Sequence, residues 1–229
     1  LIAWDQRAAH SADAYLCNST VVRDRIRRIY GIDATVVPPP ASLDPDGRQE
    51  PIGLAPLPDG TQDSALYLVV SRLMPYKNVD VVIEAFRGMP GRRLLVIGHG
   101  PLEDSLRRDL PPNVTMAKGV SDAQLRWAYA HAAAVIAPSR EDFGLTPVEG
   151  FAFGTPALAL RAGGYLDTVV EGENGWFFDD ATPQSVRDAV QRLDTNRLVR
   201  AVVIDRGRHF APDMFTKRVA AILERVAVR

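Results

Sequence analysis

Residues 139–156, SREDFGLTPVEGFAFGTP, follow the apolar run AAAVIAP and indicate how the chain folds. The run is short, uncharged and bounded by Pro138, which predicts a strand buried on both faces. A buried strand followed by a loop and a helix is a βα unit of a parallel sheet, and ligands bind at the carboxyl ends of such strands. We therefore expect the chemistry of this protein in the loop after this strand.

The helix after this loop has a clear start signal. Thr146 can cap the helix, Pro147 suits its first helical position, and Glu149 stands where the reciprocal half of a capping box belongs. Free amides at such a helix N-terminus, with Gly144 beside them, attract phosphate. Two interpretations of Glu149 stay open, a capping residue and a ligand-binding carboxylate. Glu141 likewise is either a functional group or part of a solvated loop tip.

Other segments repeat the strand, loop and helix pattern, which predicts an α/β fold with a doubly wound, Rossmann-like parallel sheet of about six to eight strands. Strands are predicted at residues 14–17, 34–37, 65–70, 92–98, 114–116, 132–138, 155–160 and 176–178. Helical patterns near residues 182–193, 197–210 and 215–228 are expected to cover the sheet. We predict a single domain, residues 1–229, whose residues 195–229 are covering helices.

Two cations flank the loop after the strand at residues 65–70. Arg72 and Lys77 stand in SRLMPYKN, at the carboxyl end of a predicted parallel strand. There they can neutralise a diphosphate, Arg72 through a bidentate fork and Lys77 as a point charge. Asn78 is placed to cap the following helix. Alone, these two cations are weak evidence for a binding site.

The spacing from Glu141 to Glu149, around Phe-Gly-Leu and before Gly-Thr-Pro, resembles the signature of the retaining GT-B glycosyltransferases of the GT4 type, glycosyltransferase group 1. In that family the signature lies in the C-terminal domain, which binds the nucleotide sugar. The resemblance runs through almost the whole chain. It implies that this chain is the C-terminal half of a GT-B fold.

The resemblance also implies roles for individual residues. Arg72 and Lys77 stabilise the leaving nucleotide diphosphate in place of a metal ion, and Glu141 contacts the hydroxyls of the donor hexose. The implied donor-binding residues are Gly100, Val120, Phe143, Gly144, Leu145, Thr146 and Glu149, the last holding the ribose hydroxyls. Gly150 stands where the family usually has alanine, and Phe153 replaces a small residue, so the packing of this helix is expected to differ.

The stretches VVSRLMPYKNVDVVIEAF and EDFGLTPVEG look like those of bacterial and archaeal mannosyltransferases. The implied activity is the retaining transfer of a hexose, mannose from GDP-mannose, to an unidentified saccharide or lipid-linked acceptor, with no metal or other cofactor. Two alternatives stay open: a UDP-sugar-dependent transferase of the same type, and a module that binds nucleotide-diphosphate sugars without turnover. The chain start, LIAWDQRAAH, indicates a fragment, so we expect an absent N-terminal acceptor domain and an inactive fragment.

Composition excludes several classes of protein. The 27 Lys and Arg residues nearly balance the 28 Asp and Glu residues, which leaves no electrostatic case for nucleic acid binding. No apolar run approaches the length of a transmembrane helix. The lone cysteine, Cys17, is expected in the core and suits a reducing compartment. We therefore predict a cytoplasmic protein, with a peripheral position at the inner face of the membrane as the second interpretation.

Some suggestive residues are better explained by structure than by binding. Asp44 and Asp46 in DPDG favour a turn over a metal site. Trp127 and Tyr129 lie on an amphipathic helical pattern and favour packing over stacking on a base. His99, in a Gly-His-Gly turn, is expected at the surface.

Overall fold

A computed structural model describes residues 2–57 and 64–227. Residue 228, the last of the predicted C-terminal helix, lies outside the described residues. The strands are β1 (Leu16–Cys17), β2 (Thr35–Val36), β3 (Leu66–Val70), β4 (Arg93–Ile97), β5 (Val114–Ala117), β6 (Ala134–Ala137), β7 (Ala157–Leu160) and β8 (Gly175–Phe178). The α-helices are α1 (Ile2–Ala9), α2 (Thr20–Tyr30), α3 (Val79–Arg87), α4 (Glu103–Arg107), α5 (Asp122–His131), α6 (Leu145–Ala152), α7 (Tyr165–Thr168), α8 (Pro183–Thr195), α9 (Arg200–Gly207) and α10 (Pro212–Ala227).

Six strands form one parallel sheet in the order β5-β4-β3-β6-β7-β8. The chain enters the sheet at β3, moves outward to β5, and then crosses back to place β6 on the other side of β3. The order of the strands therefore reverses between β3 and β6. Ligands of open α/β sheets bind at such a reversal. The predicted doubly wound, Rossmann-like fold is confirmed.

The first two strands are not part of this sheet. The sequence placed them in the one doubly wound sheet, but β1 and β2 pair with each other in a separate two-stranded sheet. Three prolines, residues 38–40, follow β2 and cannot donate ladder hydrogen bonds, which ends the strand. Helix α1 was not predicted. Cys17 is buried, as predicted.

The core lies on both faces of the six-stranded sheet. Continuous apolar strands bury alternate side chains against opposite layers. On one face Tyr67 and Val69 pack with α3 and α8. On the other face Leu66 and Leu68 pack with α5, and α6 covers the neighbouring part of the sheet. Because both faces are covered, only the strand ends are left for chemistry.

The three C-terminal helices differ in how far they are buried. Helix α8 packs Val186, Val190 and two further side chains into the core of the sheet. Helix α9 lies against α6, where Gly207 contacts the backbone of Phe151. Within its described residues α10 buries only Ile222. Among the helices that the structure describes, none has an apolar stretch of the length that crossing a bilayer requires.

Candidate functional site

A cavity of about 380 Å³ lies at the point where the strand order reverses, beyond the carboxyl ends of β3 and β6. Most of the residues assigned from the sequence line it. These are Arg72, Lys77, Glu141, Phe143, Gly144, Leu145 and Thr146. The sheet topology therefore brings two loops, separated by more than sixty residues of sequence, into one site.

Lys77 and Glu141 form an ion pair inside this cavity. The Lys77 Nζ atom lies 2.5 Å from Glu141 Oε1, and the two side chains are only 15% and 22% exposed. At this depth water screens the Coulomb attraction between the two charges less than at the surface, while removing either partner would leave the other charge poorly compensated. The sequence assigned these residues separately, to the diphosphate and to the hexose. An ammonium group keeps further N–H donors for a ligand after one has bound a carboxylate.

Helix α6 begins two residues earlier than the sequence predicted. Leu145 is its first residue, and Gly144 occupies the cap position with φ 88°, a conformation that favours glycine. The prediction that Thr146 caps the helix is wrong. Its hydroxyl instead donates to the carbonyl of Val70 at the end of β3, at 3.2 Å. The first N–H groups of a helix have no partner within the helix, and the cap and first two residues of α6 line the cavity.

The loops around the cavity are tied to one another by hydrogen bonds. The Asn78 amide donates to the carbonyl of Pro138 at 2.9 Å, which links the loop after β3 to the end of β6. Asn78 was predicted to cap α3, but its side chain makes no capping hydrogen bond. The Gly164 N–H donates to the carbonyl of Glu141 at 2.8 Å. These bonds fix the backbone that carries Glu141.

Glu149 lies outside the lining of this cavity and has two protein partners. Ser42 donates to its Oε1 atom at 2.7 Å, and Tyr129 donates to its Oε2 atom at 2.6 Å. No capping box forms at α6, because the helix starts too early and both carboxylate oxygens are engaged elsewhere. Burial and the adjacent Glu149 carboxylate raise the pKa of Tyr129, which stays protonated as the donor.

The two other assigned residues, Gly100 and Val120, also lie outside the cavity lining. The turn after β4 lies so close to the loop after β3 that a side chain at Gly100 would meet the backbone of Leu73, 2.5 Å from its carbonyl oxygen. Val120 packs beside the apolar cluster that contains Tyr129. The ring of Phe143, a cavity residue, is buried edge-on against Phe210, so only its backbone side is open to a ligand.

The structure adds residues that sequence reasoning missed. Ser139 and Tyr165 line the cavity and are almost fully buried. Ser139 donates a short hydrogen bond to Glu141 Oε1. Its position in the sequence, between a buried strand and Glu141, could have identified Ser139 as a site residue. Tyr165 had no such signal, because its ring reaches the site only by packing against Gly144.

Helix α2 is attached to the loop after β6 and to α7. Arg25 donates to both oxygens of Asp142, at 2.6 and 3.1 Å, and this pair lowers the pKa of Asp142. The backbone and hydroxyl of Thr20 donate to Asp167, each at 2.6 Å. Asp142 lines the cavity, so Arg25 links α2 to the site. Asn18, just before α2, lines the cavity.

The substitutions at Gly150 and Phe153 are explained by close packing of α6. A Cβ atom at Gly150 would lie 2.9 Å from a methyl group of Val135, so glycine lets the helix approach β6 closely. Phe153 is buried and stacks on Tyr129 with ring centroids 5.6 Å apart. Phe153 therefore packs against the side chain whose hydroxyl binds Glu149.

The alternatives to binding roles hold for several residues. Asp44 accepts from the backbone of Asp46 and Gly47 in a turn, as predicted. Trp127 packs beside the apolar cluster of α5, as predicted. His99 is exposed. Across residues 2–57 and 64–227, no three His, Cys, Asp or Glu side chains gather in a way that could hold a metal ion.

A doubly wound parallel sheet with a cationic, carboxylate-bearing cavity at its switch point defines this protein as an α/β domain with its candidate site at the carboxyl ends of the strands. The sequence pattern of one family, glycosyl transferases group 1, matches residues 59–210. The chain belongs to this family.

Two curated relatives illustrate its range. The chain is 27% identical over 234 residues to the GDP-mannose-dependent alpha-(1-6)-phosphatidylinositol monomannoside mannosyltransferase of Mycolicibacterium smegmatis, an alignment that covers 91% of this chain and 60% of that protein. It is 36% identical over 135 residues to the glycogen synthase of Pseudomonas aeruginosa, which covers 56% of this chain and 26% of that enzyme. The chain thus spans between about a quarter and three fifths of these relatives.

Solved structures share the fold. The sucrose-phosphate synthase of Thermosynechococcus elongatus aligns with a TM-score of 0.82 at 20% identity, over 99% of this chain and 61% of that one. Anabaena Alr3699/HepE in complex with UDP-glucose aligns with a TM-score of 0.76 at 17% identity, over 97% of this chain and 67% of that one. At these identities the likeness shows the fold alone.

Proposed function

We propose that this chain binds the nucleotide-sugar donor of a hexosyltransferase, in the cavity between β3 and β6. The observation that carries the proposal is the joint presence of Arg72, Lys77, Glu141 and the start of α6 around that cavity. Two cations and a helix N-terminus suit a diphosphate, whereas a carboxylate beside them suits sugar hydroxyls. An acceptor that is a saccharide or a lipid-linked saccharide would approach from the open side.

The favoured donor is GDP-mannose. The relative that is aligned over 91% of this chain is GDP-mannose-dependent by name. UDP-sugars are the alternative, since Alr3699/HepE was solved with UDP-glucose. Base and hexose are discriminated by a few side chains, so direct binding measurements must choose between them. If Glu149 binds the ribose, Tyr129 and Ser42 contribute to this recognition by holding the Glu149 carboxylate in place.

The first prediction is that this chain binds GDP or GDP-mannose without added metal, because Arg72, Lys77 and the helix amides supply the positive charge that a metal would supply. Calorimetry with GDP, GDP-mannose, UDP and UDP-glucose, each with EDTA and with magnesium, measures this. Equal affinity in both buffers is expected. Binding that requires magnesium or manganese would contradict metal independence, and tighter UDP binding would move the donor to uridine sugars.

The chemical step follows from where charge develops. As the bond from the anomeric carbon to the phosphate oxygen breaks, negative charge grows on the diphosphate, where Arg72 and Lys77 stabilise it more than in the ground state. The acceptor oxygen bonds to the anomeric carbon from the face that the diphosphate leaves, and a phosphate oxygen takes the acceptor proton. Glu141 orients the sugar and is not the nucleophile.

The second prediction is that the complete protein transfers its hexose with retention of anomeric configuration. NMR of the newly formed anomeric centre measures the stereochemical outcome. In the same assay Glu141→Gln should lower turnover while leaving the affinity for free GDP nearly unchanged, since Glu141 acts on the sugar. An inverted product, or full turnover by Glu141→Gln, would refute this mechanism.

A further inference from the structure

Two hydrogen-bond donors contact the same oxygen of Glu141. Lys77 Nζ and Ser139 Oγ both bind Oε1, while Oε2 accepts no hydrogen bond from the residues that the structure describes. A carboxylate held through one oxygen by two donors cannot rotate freely about its last torsion. The second oxygen is therefore presented in a fixed direction. In a cavity suited to a sugar, that oxygen is the available acceptor for hydroxyl groups.

We propose that Ser139 is a positioning residue, which holds Glu141 so that Oε2 accepts hydrogen bonds from the hydroxyls of the transferred sugar. The inference rests on the proposed donor-binding function and adds a residue to it. Ser139 would not contact the reacting atoms. It would act on the sugar through Glu141.

Ser139 is well supported for this role. Only 4% of its surface is exposed, and it comes two residues after β6, so its backbone is held by the sheet. Its Oγ atom lies 3.5 Å from the Tyr165 hydroxyl, which limits the rotation of the serine side chain. Burial raises the pKa of Tyr165, so that hydroxyl stays protonated at neutral pH. A group held by buried neighbours can define the geometry of its partner.

Lys77 alone cannot keep Glu141 in place once a nucleotide sugar binds. Its ammonium sits on a flexible stem, and the charge of an incoming diphosphate attracts it while repelling the Glu141 carboxylate. Ser139 is neutral, so the diphosphate does not compete for its hydroxyl in the same way. The serine hydrogen bond therefore matters most when the nucleotide sugar is bound. Removing it should affect the sugar and spare the nucleotide.

The test compares binding of a nucleotide and its sugar by calorimetry, with GDP and GDP-mannose and also with UDP and UDP-glucose. For the pair that wild type binds more tightly, Ser139→Ala should raise Kd for the nucleotide sugar by about fivefold, which corresponds to about 1 kcal/mol, the typical net contribution of one hydrogen bond. Kd for the nucleotide alone should change by less than about twofold. Ser139→Thr, which keeps the hydroxyl, should show the wild-type ratio of the Kd for the nucleotide sugar to the Kd for the nucleotide.

A matched control is Thr168→Val, which removes a buried hydroxyl outside the cavity lining. Thr168 donates to the Tyr165 carbonyl and not to Glu141. This variant should leave the ratio of the two Kd values unchanged. Ser139→Ala should add nothing in a Glu141→Ala background, because the serine acts only through that side chain. If Ser139→Ala does not fold, Ser139→Cys keeps the shape with a weak donor and should show the same selective loss.

Several results would overturn the inference. Equal weakening of nucleotide and nucleotide sugar would make Ser139 a general structural residue. An unchanged ratio in Ser139→Ala, or additive losses in the double variant, would remove its link to Glu141. Wild-type protein that binds none of the four ligands would instead refute the proposed function, and this inference with it.

Discussion

Lys77→Ala is expected to weaken GDP binding by about 10- to 100-fold, which corresponds to about 1.5–3 kcal/mol for a lost charge-assisted contact. The variant removes a cation from the cavity and also leaves the Glu141 carboxylate without its ion-pair partner. An unneutralised carboxylate then repels the diphosphate. Both effects act in the same direction, so calorimetry with GDP, or with UDP if wild type prefers it, should show a large loss.

Lys217→Ala is the matched control, because Lys217 pairs with Asp213 at 3.0 Å on the exposed surface of α10. Its effect on GDP affinity should be within about twofold, as surface pairs contribute little. Adding Glu141→Gln to Lys77→Ala should recover part of the lost affinity by removing the repulsion. Unchanged GDP binding by Lys77→Ala would show that the diphosphate does not lie in this cavity.

Gly98→Ala is expected to destabilise the fold by about 3 kcal/mol, which lowers Tm by about 6–12 °C for a domain of this size. A Cβ atom there would lie 1.8 Å from the carbonyl oxygen of Ser71. The family resemblance implies that the glycine turn after β4 contacts the nucleotide. In the structure Gly98 lets this turn pack backbone to backbone against the loop that carries Arg72. We therefore expect weaker GDP binding as well.

Gly91→Ala is the control for this substitution, since a Cβ atom at Gly91 meets nothing within 4 Å. It should leave Tm unchanged or raise it slightly, because alanine restricts the unfolded chain more than glycine does. Thermal melting followed by circular dichroism compares the two variants. Equal melting temperatures for Gly98→Ala and Gly91→Ala would mean that the loops can separate at little cost, contrary to the packing argument.

Features that depend on neighbouring residues were predictable from the sequence. Buried strands appear as continuous apolar runs because both faces of the sheet are covered, and four of the six strands of the main sheet, β3, β4, β6 and β7, were located in this way. The capping box of Ser121 and Gln124 on α5 also forms as its local pattern indicates. The turn at Asp44 belongs to the same group. In each case the sequence pattern that predicts the feature lies within a few residues.

The capping pattern at α6 shows where local reasoning stops. Thr146 and Glu149 fit a capping box as well as Ser121 and Gln124 do, yet α6 starts at Leu145 and no box forms. Gly144 can adopt φ 88°, which allows the earlier start. The Thr146 hydroxyl donates to the carbonyl of Val70 instead of capping the helix. The competing partner lies 76 residues away in sequence.

The sequence by itself determined the parallel α/β architecture and the strand ends at which the site would lie, because both follow from hydrophobic period and short-range turn chemistry. Only the tertiary structure decided the partners of the charged groups. Lys77 meets Glu141 across 64 residues, and Ser42 meets Glu149 across 107. A hydrogen bond forms over about 3 Å, so its choice of partner depends on how distant elements pack, which no local pattern encodes.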